Sequence, residues 1–255
     1  MTACRSKPAV YSALGGEMQM LTEGDVTTVV ANGIAFLRSA REPHALLFMG
    51  LMHRRFGVKE FANALELYDA ELPKHPDRAP VLRVFRRMFD ANNPIQLEDW
   101  EHVTLQTDRL LVSALYCDRL GLPDSFADVL ARAATQGRYA ATHALLAWVW
   151  IQENGCKLAA PAGLFEEICG AVAKIIDEAP TSVNDIKLEA GAFLCLAHQV
   201  QRVDLGFVRR VIAVRNEDGG WGRSVDEGNP GESSWHSTIL ALMILLHVSF
   251  PAAGT

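Results

Sequence analysis

The sequence predicts an all-α protein, an α/α toroid or incomplete α/α barrel built from helical hairpins. Apolar residues recur at three- and four-residue steps along almost the whole chain, and strand-like alternation is scarce. Two helix types then alternate. HALLFMGLM, RLLVSALYC, HALLAWVWI, AGAFLCLAH and STILALMILL are apolar nearly all round, as expected of helices walled on both sides, whereas FANALELYDAEL, SFADVLARAATQ, LFEEICGAVAKIIDE and FVRRVIAVRNE are amphipathic. The apolar runs also share a register: His44, Asp108, His143, Glu189 and His236 each stand at the start of one. The last three spacings, 35, 46 and 47 residues, are the span of a helical hairpin with variable loops, and the 64 residues from His44 to Asp108 leave room for an extra, degenerate pair.

Taken in order, helices are expected over 25–40 and then over 44–55, an apolar run stopped by Gly57 after HRRF. The amphipathic 58–72 follows, with shorter segments 79–91 and 98–103 in the degenerate region. The apolar 107–121 is stopped by Gly121-Leu122-Pro123, and the amphipathic 124–136 leads to the apolar 139–153, stopped by Gly155. Helix 161–178 ends before Pro180, the apolar 185–200 and amphipathic 204–215 follow, and 234–248 closes the series after the Gly-rich polar loop NEDGGWGRSVDEGNPGESS. The apolar helices form an inner layer and the amphipathic ones an outer layer.

At 255 residues and 49% hydrophobic content the chain can bury one well-filled core or two small ones, and no linker argues for two. The organisation read from this is an N-terminal extension, 1–24, and a single toroid-like domain, 25–255. A formal charge of −6 without any Lys/Arg block argues against nucleic-acid or anionic-membrane surfaces, which need a concentrated positive field. The opening MTACRSKPAVYSALGGEM lacks the apolar stretch of a signal peptide, and no run is apolar enough to span a bilayer, so membrane insertion is not expected and a cytoplasmic location is. Cys4, Cys117, Cys156, Cys169 and Cys195 lie far apart with no C-x-x-C pair, which reads as reduced core thiols. The partners expected are a small-molecule substrate or proteins, a homodimer among them.

NEDGGWG followed by SSWHSTILALMILLH resembles the C-terminal repeats of the α/α-toroid superfamily, which includes squalene-hopene-type terpene cyclases and the β subunits of protein prenyltransferases. In the prenyltransferases a Gly-Gly-aromatic-Gly turn leads into an inner helix opening aromatic-His-Thr, whose His binds the catalytic zinc; Trp235-His236-Ser237 is similar. The resemblance places Glu189-Ala190-Gly191 where the family's Asp-x-Cys ligands lie, so a carboxylate is kept and the thiolate is absent. The cyclases' Asp-x-Asp-Asp proton donor is also absent, and neither Asn184-Asp185 nor Asp226-Glu227 replaces it. The motifs cover about the last 75 residues.

If the inner helices ring a common axis, five ionisable side chains meet at one mouth. Three imidazoles and two carboxylates suit one divalent metal, iron or zinc first and manganese also. The expected ligands are His44, His143 and His236, with Glu189 as the anionic ligand. Asp108 either completes the shell or acts as general base, so Asp108 and Glu189 are the catalytic candidates. The competing reading makes His44 and His143 locally satisfied, and Asp108 and Glu189 first-turn carboxylates favoured by the helix dipole. His247, eleven residues after His236 and about 16 Å further along the axis, is placed on the cavity floor. Trp148 and Trp235 are candidate walls for a small, largely apolar substrate, although core packing is the commoner role of any one Trp. His53 and His198 fall half a turn from the inward face, and His75 lies in an exposed loop. No G-x-S-x-G elbow, H-E-x-x-H or P-loop is present. Two other readings stand beside the metalloenzyme: metal-free acid/base chemistry using Asp108, Glu189 and Asp185, and a noncatalytic helical-repeat protein whose concave face and loop 216–233 bind a peptide or partner.

Overall fold

The computed structural model describes residues 23–179, 181–225 and 231–249. Its helices are α1 (Glu23–Leu37), α2 (Pro43–Phe56), α3 (Ala64–Glu71), α4 (Ala79–Phe85), α5 (Leu97–Glu101), α6 (Gln106–Leu115), α7 (Cys117–Leu120), α8 (Phe126–Gln136), α9 (Arg138–Glu153), α10 (Leu164–Asp177), α11 (Asp185–Leu196), α12 (Leu205–Ala213) and α13 (Trp235–Ser249). Four two-residue strands, β1 (Val183–Asn184), β2 (Trp221–Gly222), β3 (Ser224–Val225) and β4 (Ser233–Ser234), pair antiparallel as β1 with β3 and β2 with β4. The all-α class is as the periodicity indicates, and no helix among the described residues is long and apolar enough to cross a membrane. Pro180 and Asp226-Glu227 lie outside the described residues, as does Cys4.

Local chemistry fixes most helix ends. The Glu42 carboxylate accepts from the His44 and Ala45 amides at 2.6 and 3.2 Å and so caps α2, whose other end closes on Gly57 in the left-handed region. Asn184 caps α11 through the Lys187 amide, and Asp204 caps α12 through that of Phe207. The expected helix 107–121 is broken at Tyr116, which buries its ring and donates its hydroxyl to the Val84 carbonyl. The expected 79–91 shortens to α4 and a 3₁₀ turn at Arg86–Met88.

The apolar helices are spatial neighbours in the order α2, α13, α11, α9, α6, while α1, α3, α8, α10 and α12 pack outside them. Side-chain contacts give their direction. His143 meets Glu189 and Asp185 meets His236 at the N-terminal ends, while Arg55 pairs with Glu153 and Phe56 packs on His247 at the C-terminal ends. The five helices are therefore parallel, as short return helices on the outside require. One cluster of buried side chains runs from Val26 in α1 to Leu246 in α13, and every residue of α11 after Asp185 is buried. Burying apolar area on both sides of these helices, at roughly 25 cal/mol per Å², is the main stabilising term.

Cys117 and Cys156 are not the reduced thiols expected. They form a disulfide with Cα atoms 6.1 Å apart, joining α7 to the turn after α9. Their separation of 39 residues hides the pairing in the sequence, but parallel packing of α6 on α9 sets their C-terminal ends side by side. Asn154 ties the same ends, donating to the Ala114 and Leu115 carbonyls. Cys169 and Cys195 are buried free thiols, and burial raises both their pKa values, Cys169 to about 11 and Cys195 to about 12.

Candidate acid/base site

The Gly-rich loop builds one side of the site. Trp221 is fully buried, its indole N–H donates to the Val211 carbonyl at 2.6 Å, and its amide donates to the Thr238 hydroxyl. This ring packs between α1, α12 and α13, so the tryptophan of DGGWG is an anchor between layers. Gly219, at φ +91°, lets the turn approach α1: a Cβ there would stand 2.6 Å from the Asn32 carbonyl oxygen. From this anchor, β2–β4 leads to the start of α13, and β1–β3 leads to the start of α11, where the Asp185 amide donates to the Arg223 carbonyl.

Those two helix starts hold the first histidine–carboxylate pair. His236 Nδ1 lies 2.8 Å from Asp185 Oδ1, which also accepts from the Ser237 hydroxyl at 2.9 Å. Asp185 Oδ2 accepts from the Tyr139 hydroxyl at 3.2 Å. Burial alone would raise the Asp185 carboxyl, but His236, Ser237 and Tyr139 outweigh it and hold the pKa below the ordinary value. Burial and the neighbouring Asp185 push the Tyr139 phenol up to about 12.

The second pair lies one helix interface away. Glu189, 3% exposed, accepts from the Thr142 hydroxyl, and His143 Nδ1 stands 3.4 Å from Glu189 Oε1 and 2.7 Å from the Tyr139 carbonyl oxygen. Burial lowers the His143 imidazole, yet the hydrogen bond and charge of Glu189 more than offset this, so its pKa is raised. Asp108, half-buried at the start of α6, has a raised pKa because burial dominates, opposed by the charges of His143 and His44. Tyr139 and His143, one turn apart on α9, thus connect the two pairs.

Of the five expected residues, His143 meets Glu189, Asp108 feels the charges of His143 and His44, and His236 pairs with Asp185 instead. His44 is taken locally: its Nδ1 lies 2.8 Å from Arg78 Nη2 and 3.5 Å from Glu42 Oε1. Burial opposes ionisation of Glu42, but His44 and Arg78 overcome it and hold the carboxyl at about 2. Among the described residues no three His, Cys, Asp or Glu side chains form a group that could hold a metal ion. Tyr139, Thr142 and Ser237 were not marked by the register, and Asp185 entered only as an alternative carboxylate. Tyr139 and Thr142 stand one to four residues ahead of His143, a spacing that puts them on the same first turns.

The three expected cavity residues do not share one cavity. Trp235 flanks the site, its ring 5.4 Å from that of His236. Trp148 turns outward onto Phe165 of α10, beside a pocket of about 410 Å³ that includes Gln152, Leu196 and His198. His247 packs edge-on against Phe56 at the opposite end, with burial lowering its pKa. His53 bonds the Val58 carbonyl, His198 is exposed, and His75 occupies a loop but is half-buried. Compared with protein-family models, with curated proteins and with solved structures, the chain matches none.

Proposed function

We propose that this chain is an enzyme using acid/base chemistry at the N-terminal mouth of its inner helices, within a closed or nearly closed α/α toroid. The observation that supports it is the pair of histidine–carboxylate couples linked through the first turns of α9. An imidazole whose Nδ1–H is given to a carboxylate presents Nε2 outward as a base, and the carboxylate stabilises the imidazolium that forms. His236 on Asp185 fills this role. His143, its pKa raised by Glu189, carries a proton further into the neutral range and acts as the acid partner. A neutral Tyr139 links them, its hydroxyl donating to Asp185 and its backbone carbonyl meeting His143 Nδ1. The substrate is small and largely apolar: Leu105, 63% exposed beside the start of α6, and Trp235 give the rim an apolar surface.

The test is turnover of a metabolite extract followed by mass spectrometry. A conversion present in wild type, with a bell-shaped pH profile, and lost in both His236→Gln and His143→Gln supports the proposal. A conversion that survives both substitutions refutes it. The competing proposal is a metalloenzyme. In its favour, Nδ1 of His236 is held by the Asp185 carboxylate and Nδ1 of His143 by the Tyr139 carbonyl oxygen, the outer-partner arrangement of histidine ligands that bind through Nε2. Metal analysis of untagged protein separates the two: one equivalent of iron, zinc or manganese lost in both variants favours the metal. A cytoplasmic location would keep Cys117 and Cys156 reduced, so thiol trapping at lysis tests it.

A further inference from the structure

At the opposite end of the same helices lies a different chemistry. The last turns of α2 and α9 and the 3₁₀ turn after α4 border an open cavity of about 280 Å³, lined by Arg54, Arg55, Arg87, Trp150, Glu153 and Asn154 among others. We propose that this cavity binds an oxyanion, a phosphate or carboxylate group of a small molecule, with Arg54, Arg55 and Arg87 as its cationic wall.

The Arg87 side chain is 4% exposed, and only its Nη2 has an acceptor, Asp118 at 2.7 Å. Its Nε and Nη1 are buried without a hydrogen-bond partner among the described residues, as are Arg55 Nε and Trp150 Nε1. A buried N–H of a charged group left without an acceptor is costly, and oxygen atoms placed in the cavity would satisfy it. The Arg87 guanidinium lies over the Tyr116 ring, 4.7 Å from its centroid, a second contact that holds it beside its salt bridge to Asp118.

Charge points the same way. Arg55 pairs with Glu153, and Arg54 donates to the Met88 carbonyl, so Glu153 is the one carboxylate named in the lining against three guanidinium groups. Burial, then the neighbouring Arg54, pulls the Arg55 pKa down to about 10, the mark of cations crowded where water is scarce. Arginine forks match the planar or tetrahedral oxygens of such a ligand. The disulfide stiffens the wall, because Leu115 and Asn154 each lie two residues from one of its cysteines.

Isothermal titration with inorganic pyrophosphate and, separately, malonate tests this. Wild type is expected to bind one or both saturably in the millimolar range or tighter, and which one binds names the oxyanion. Arg54→Gln, at an exposed position that leaves the core intact, should weaken binding by about tenfold or more. Arg87→Met should abolish it, and Glu153→Gln, which removes the competing carboxylate, should tighten it severalfold. Saturable binding of neither anion to the folded wild type would overturn the proposal. Equal affinity in wild type, Arg54→Gln and Glu153→Gln would do the same.

Discussion

Removing the charge of Glu189 while keeping its shape isolates the His143 couple. In Glu189→Gln the amide oxygen can still accept from Thr142, so the hydrogen bond persists and the charge is lost. Two full charges 3.4 Å apart interact by about 5 kcal/mol at an effective dielectric of about 20. Water reaches the His143 side chain, which is 20% exposed, and screening reduces the expected coupling to about 2 kcal/mol. A double-mutant cycle of His143→Gln and Glu189→Gln by urea unfolding measures it. The folded pKa of His143 lies above its ordinary value of 6.5, so this stabilisation is fully present below about pH 6.5 and is lost as pH rises through the folded value. The cycle should therefore give about 2 kcal/mol near pH 5.5 and well under half of that near pH 9. A coupling under about 0.5 kcal/mol at the lower pH, or one that does not change with pH, would refute the reasoning.

The anchor of the Gly-rich loop should dominate stability at the mouth: Trp221→Ala is expected to cost about 3 to 5 kcal/mol in urea unfolding, and a loss within about 1 kcal/mol would show that the ring does not hold the layers. Gly191→Ala sets a methyl 2.9 Å from Ile244 Cδ1 and should destabilise by about 1 to 3 kcal/mol despite the better helix propensity of alanine; unchanged unfolding would contradict the close approach. Breaking the Cys117–Cys156 bond opens a loop of 39 residues and should lower stability by about 2 to 4 kcal/mol, read as the difference between oxidised and reduced unfolding curves. His247 works against His143 in pH. Its depressed folded pKa gives stability that is full above about 6.5 and lost as pH falls through the folded value, so His247→Asn should flatten the acid side of the stability profile.

The helices were legible because their signals are local. Apolar periodicity separated inner from outer segments, and Gly57, Gly121 and Gly155 all take positive φ at helix ends. The register of first-turn residues was legible too, and it did place His143 beside Glu189. What it could not give was the direction of each side chain within its turn. His236 chose Asp185 over Glu189 because the β1–β3 pairing sets the first residue of α11 against the start of α13, and that pairing depends on a loop folding back over 40 residues. His44 was diverted by Arg78, 34 residues away. Gly191, where the resembling motif carries a thiolate, faces Ile244 and Phe207, whose side chains would have to shift to admit a Cβ there. The disulfide and the buried arginines of the far end depend on parallel packing, which residue spacing alone does not encode.

In the proposed site both imidazoles are Nδ1–H tautomers, His236 donating to Asp185 and His143 to the Tyr139 carbonyl oxygen. Nitrogen-15 spectra of histidine-labelled protein, followed through a pH titration to its alkaline plateau, measure this directly. Nδ1–H tautomers are expected for both His236 and His143, with the His236 signal shifting toward tautomeric exchange in Asp185→Asn. An Nε2–H tautomer at His236, or a His236 signal indifferent to Asp185→Asn, would contradict it.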